Sequence, residues 1–165
     1  MLRNLAAPFL TGVIAIVMVS GGSLVLSTTT SGAAGEYGSK EDARAMLQRA
    51  VAAVKENKAE ALAKFNKGEG GFKDRDLYVF CANASDGIMT AHPYGYKGKH
   101  LQEILGKKGK PFGQEIMEKA TEGETKEVSY WWSRPDSDEQ VEKTTYYTKV
   151  GDQICGVGYY HDEHV

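Results

Sequence analysis

Cysteine and proline are scarce in this chain, whose 165 residues hold two cysteines and four prolines. Cys81 and Cys155 are too few and too far apart for a zinc site, and no C-x-x-C-H occurs, which excludes covalent haem attachment. Also missing are G-x-S-x-G, H-E-x-x-H, a P-loop and the glycine fingerprint of dinucleotide-binding folds. With them go the common hydrolase, metalloprotease and nucleotide-dependent classes, so the chain is expected to be no enzyme and to need no cofactor and no metal. An excess of one charge is lacking as well: 20 Lys+Arg against 22 Asp+Glu, well mixed, give a formal charge of −2. Without a basic stripe there is nothing to neutralise a phosphate backbone, which argues against nucleic acid as a partner. What is present, 41% hydrophobic and 25% charged residues, is the composition of one ordinary folded domain.

A long apolar run occurs at the start. Arg3 is the sole charge before Glu36, residues 5–19 are almost wholly apolar, and the small residues Ser31, Gly32, Ala33 and Ala34 follow. This is the layout of a secretory signal peptide cut near Ala33 or Ala34. The rival reading is an uncleaved membrane anchor, because Leu24, Val25 and Leu26 prolong the run toward the roughly 20 residues a spanning helix needs. Gly21, Gly22 and Ser23 interrupt it and favour cleavage. Residues 1–34 are thus read as signal, 35–39 as linker and 40–165 as a single domain, periplasmic or secreted. In that oxidising setting Cys81 and Cys155 either form a disulfide, whose long loop would stabilise by about 4 kcal/mol, or remain two buried thiols.

Ser39 with Asp42 three residues on resembles a capping box. Beyond it Met46, Leu47, Ala50, Val51, Val54, Ala61 and Phe65 form one stripe at helical spacing, which Asn57 divides and Gly68, Gly70 and Gly71 end. Residues 77–83 then read as a buried strand, Ser85-Asp86-Gly87 as a turn and 88–91 as the returning strand. A short helix over 112–120 starts after Pro111, and three strands close the chain at 124–133, 141–150 and 153–160. The fold class expected is α+β: a long N-terminal helix, broken or not, on an antiparallel sheet of about five strands.

The words in that order carry a resemblance. Ala59 to Asn66 (AEALAKFN), Gly71-Phe72, Asp76 to Phe80 (DLYVF), Asp86-Gly87, Ala91-His92-Pro93, Gly98-Lys99 and Gly109-Lys110-Pro111-Phe112 follow one another as in the single Cache domains of the second type. So do Tyr130-Trp131-Trp132 with Pro135, Lys143 with Tyr146, and the closing Gly156-Val157-Gly158-Tyr159-Tyr160. One departure is the loop after Pro93, where Tyr94-Gly95-Tyr96 stands in place of a more usual Asn-containing stretch. The resemblance implies a PAS-like extracellular sensor fold and a small organic ligand: a short carboxylate, an amino acid or a related metabolite. Nothing after Tyr160 reads as a membrane span or a kinase, so a membrane receptor or histidine kinase is the implied signalling partner.

A ligand pocket in such a fold needs aromatic walls and a few convergent polar groups. Strand alternation puts Val128, Tyr130 and Trp132 on one face and Ser129 and Trp131 on the other, so Tyr130 and Trp132 are the candidate wall, or else plain core. Tyr78, in the first buried strand, joins the candidates. His92 leaves its strand just before Pro93, placed either to lean over a ligand or to pin the loop. Lys143 offers a positive charge to a carboxylate, in competition with Arg134 and Lys149, unless its strand is exposed and the amine merely solvated. Tyr146 completes the set, but three residues from Lys143 it falls on the opposite strand face unless a bulge re-aims one of them. Gly156 and Gly158 suggest close approach of a neighbour. His161-Asp162-Glu163-His164 at the frayed end is read as adventitious at most. Two rivals remain: an interaction module without a ligand, and a thiol-dependent enzyme built on Cys81 with His92.

Overall fold

The computed structural model describes residues 36–161, so the signal or anchor at 1–34 and the tail residues Asp162, Glu163 and His164 lie outside the described residues. Helix α1 spans Lys40–Lys67. Its start is the expected capping box: the Ser39 hydroxyl accepts from the Asp42 amide at 3.1 Å, and the Asp42 carboxylate accepts from the Ser39 amide at 3.1 Å. Asn57 breaks the helix with φ −151° and ψ 93°. Its side-chain oxygen accepts from the Glu60 amide at 3.2 Å, so the same residue that ends one segment caps the next. Gly68 closes α1 in the left-handed region at φ 69°, where a Cβ would be strained.

Six strands follow, all paired antiparallel: β1 (Lys73–Asp74), β2 (Leu77–Asn83), β3 (Met89–Ala91), β4 (Lys126–Ser133), β5 (Gln140–Val150) and β6 (Gln153–Tyr160). The order across the sheet is β1-β2-β6-β5-β4, with β3 also on β2. The sixth strand is β1, two charged residues with no alternation to betray them. A 3-10 turn at Leu101–Glu103 and helix α2 (Phe112–Lys119) lie between β3 and β4.

The sheet is covered on both faces. Leu77, Val79, Cys81, Tyr146, Cys155 and Val157 pack under α1 with Met46, Leu47, Ala50 and Phe65. On the other face Phe80, Val128, Tyr130, Tyr147 and Ile154 meet Leu101, Phe112 and Ile116. Strand β5 therefore has no solvent side in its middle, and Lys143, Thr144, Thr145, Tyr146, Tyr147 and Thr148 are all buried.

Cys81 and Cys155 stand directly opposite in the β2–β6 register and form a disulfide, with Cα atoms 4.1 Å apart. That resolves bridged against free. Bonded in this way, Cys81 has no free thiol to offer beside His92. Among the described residues no helix is long and apolar enough to cross a membrane.

Candidate functional site

On the face of the sheet away from α1, two cavities adjoin. The inner one, about 20 Å³, is walled by Phe80, Met89, Leu101, Ile104, Phe112 and Tyr130. The outer cleft, about 210 Å³, is lined by Tyr94, Lys107, Ser133, Arg134 and Asp136. Tyr78, His92, Tyr96 and Trp132 belong to both and form the partition between them. The inner walls are fixed by packing: Phe112, just after Pro111, stacks on Tyr130 at 3.7 Å, and Trp132 meets Phe112 edge-on at 5.7 Å. The Tyr130 hydroxyl is paired with Thr145 Oγ1 at 2.9 Å, which leaves the inner chamber apolar in character. Burial holds that phenol well above its ordinary pKa.

Behind the partition lies Lys143, 1% exposed. Its ammonium donates to Tyr78 Oη at 2.9 Å and Tyr160 Oη at 3.2 Å, over whose ring centroids it sits at 4.2 and 4.5 Å. Among the described residues it forms no ion pair. Desolvation drives the amine down to about 7, against an opposing pull from the more distant Asp76 carboxylate. The expectation that this lysine could be plainly solvated fails because β5 is covered on both faces.

The two glycines of β6 make room for this arrangement. A Cβ at Gly156 would approach Phe80 Cζ to 2.6 Å, and one at Gly158 would run into the Lys143 stem. Gly158→Ala is therefore expected to cost about 1–3 kcal/mol of unfolding free energy by overpacking. The same Cβ would also meet Thr145 Oγ1 at 2.5 Å, so in urea melts only the lysine's part of that cost should vanish when Lys143→Ala is already present; strictly additive losses would show that the glycine does not position the lysine.

His92 is 8% exposed, with Tyr78 and Tyr96 rings at 5.2 and 4.8 Å. Its Nδ1 accepts from the Tyr94 amide at 3.0 Å, so the neutral ring carries its proton on Nε2. Burial first, then the Lys143 and Lys99 charges, push its pKa to about 3 and keep it neutral. Arg134, on the outer cleft wall, is 9% exposed and paired with Asp76 at 2.7 Å.

The structure thus gathers Tyr78, His92, Tyr130, Trp132 and Lys143 on one face. Tyr146 is not with them: the β5–β6 register runs unbroken from Lys143 through Val150, no bulge re-aims it, and it lies under α1 with Arg44 4.7 Å over its ring. Lys149 is partly buried and lines a separate groove. Sequence reading did not single out Tyr96, Phe112 or Tyr160. The Tyr94-Gly95-Tyr96 departure pointed at the first, and the other two stand in the motifs that carry the resemblance, which give them no role in a site.

A long helix on one face of an antiparallel sheet, with an aromatic cavity and a cation-lined cleft on the opposite face, is the architecture of a Cache-type domain. Residues 28–163 match the family model of Single Cache domain 2, and the chain belongs to that family, whose members are extracytoplasmic sensor domains. A methyl-accepting chemotaxis protein from Vibrio parahaemolyticus RIMD 2210633 superposes with TM-score 0.61 at 23% identity, over 75% of this chain and 89% of that one. A periplasmic sensor domain of a chemotaxis protein gives 0.55 at 21%, over 74% and 90%. A Cache chemosensory domain studied for carboxylic acid recognition gives 0.53 at 20%, over 74% and 88%. At these identities the likeness is one of fold. No curated protein matches.

Proposed function

We propose that the chain is an extracytoplasmic sensor domain that binds a small organic ligand, a short carboxylate ahead of an amino acid or related metabolite, and relays occupancy to a membrane receptor or histidine kinase. The observation that carries this is Lys143: a fully buried amine surrounded by aromatic rings and hydroxyls, with no carboxylate of its own among the described residues. Desolvated cations ordinarily come with a fixed counter-charge, and one held without it favours an anion brought from outside. His92 Nε2–H and the cleft wall at Arg134 and Lys107 add donors and positive potential on the way in. The carboxylic acid recognition studied in the third fold neighbour agrees with that class. A buried disulfide agrees with an exported location.

Ligand size bounds the affinity. At about 1.5 kcal/mol per heavy atom a five-atom acid is limited to roughly 7.5 kcal/mol, hence micromolar binding at best. The narrow inner cavity favours a second reading, an interaction module whose pocket is filled by its own side chains. Thermal melting against organic acids, amino acids, amines and purines separates the two. A ligand at 100 times its dissociation constant adds about 2.7 kcal/mol, a shift of several degrees that Trp132→Ala should abolish. A folded protein that no compound shifts would favour the interaction module.

A further inference from the structure

The Asp76 carboxylate, 6% exposed in the turn between β1 and β2, has two separate partners. Its Oδ1 accepts from the Gly38 amide at 2.7 Å, and its Oδ2 accepts from Arg134 Nη1 at 2.7 Å. Gly38 and Tyr37 directly precede the Ser39 cap of α1. The Tyr37 ring lies 3.8 Å from the Arg134 guanidinium, and the Leu77 side chain fills the space any side chain at position 38 would need. Arg75 fastens the same stretch again, donating to Tyr37 O at 2.9 Å and to Asp42 Oδ2 at 2.9 Å. One wall of the ligand cleft is therefore the clamp on the entrance to the long helix.

We infer that Asp76 is a built-in carboxylate on the cleft's guanidinium, and that an anionic ligand in the cleft weakens the Arg134–Asp76 pair and loosens Tyr37 and Gly38 at the start of α1. This rests on the anion reading above. Two carboxylates drawn to one buried guanidinium repel in a medium of low dielectric, so ligand and clamp oppose each other. Linkage makes the opposition reciprocal: whatever loosens the clamp raises the ligand's affinity by the factor by which the ligand loosens the clamp. The ligand site thereby acts on the N-terminal segment through one named ion pair.

The experiment follows hydrogen exchange of the Gly38 amide and the first turn of α1 in the full chain, with sodium propionate against sodium chloride at matched ionic strength. Tyr37→Ala, a change at a side chain 39% exposed, is the companion variant because it should fold. Propionate is expected to speed Gly38 exchange about fivefold or more, and Tyr37→Ala to bind propionate more tightly by a similar factor in calorimetry. Propionate that raises the melting temperature while Gly38 exchange stays flat or slows, with Tyr37→Ala affinity unchanged, overturns the clamp and leaves the anion reading standing. No melting shift from propionate or any other acid overturns both.

Discussion

Lys143→Met is expected to weaken binding of a carboxylate at least about 100-fold and, in the same protein, to raise the melting temperature. Truncating one partner of a buried charge pair costs about 2–5 kcal/mol of affinity, and here the ligand would be the other partner. The stability gain has the opposite origin. In the ligand-free fold the amine has lost its water and gained two tyrosine hydroxyls and, among the described residues, no carboxylate. Replacing a buried ionisable group by an apolar one of similar length often stabilises by about 1–4 kcal/mol. Part of that is returned because Tyr78 Oη loses its donor, whereas Tyr160 Oη still donates to Ser133 O at 2.7 Å. A residue conserving only the fold would lower stability when removed, so gain of stability with loss of binding identifies a site held for its ligand.

The same lysine sets a pH dependence of known sign. Its folded pKa, about 7, lies below the ordinary lysine value, so above pH 7 the unfolded chain holds a proton that the folded one lacks. Stability from this group therefore rises with pH through the window from about 7 to about 10.4 and is level below it. Ligand affinity runs the other way. A carboxylate needs the ammonium, so above pH 7 binding must take up a proton and weakens by up to roughly tenfold per unit. Calorimetry between pH 6 and pH 9 reads both the slope and the proton uptake in buffers of different ionisation heat. An affinity flat across that range, and indifferent to Lys143→Met, would remove Lys143 from the site.

How much of this was legible beforehand depends on whether the signal is local. The capping box at Ser39, the break at Asn57 and the glycine stop at Gly68 are each decided within four residues of chain, and each falls where the sequence puts it. Alternation likewise placed Tyr130 and Trp132 together and Tyr146 opposite Lys143. What alternation cannot carry is which faces are covered. The burial of Lys143 depends on α1 behind β5 and on the loops and α2 in front, elements up to a hundred residues away in the chain. Arg134 sits in a Pro-Asp-Ser-Asp stretch that reads as solvent-exposed turn, and contacts across the fold, its pairing with Asp76 among them, make it a buried cation. β1 was invisible because two charged residues have no period.

Removing the disulfide is expected to cost a large share of this domain's stability. Cys81 and Cys155 are 74 positions apart, and opening a loop of that length releases about 4 kcal/mol of denatured-state entropy, a melting shift of roughly 15 °C. The double variant C81A/C155A should lose at least that much, since both sulfurs are fully buried beneath α1 and leave space behind. The bridge matters to the site through register. Cys81 faces α1 while its neighbours Tyr78 and Phe80 face the cavity, and a slip of one residue in β2 would exchange those faces. The ladder from Val79–Val157 to Asn83–Gln153 still specifies the register without the bridge, so the molecules that remain folded should keep their ligand affinity. Thiol titration of the denatured protein should find none before reduction and two after it. Two free thiols in the exported, unreduced protein, or a double variant that melts within about 3 °C of the parent, would mean that the strands and α1 hold this register by packing alone.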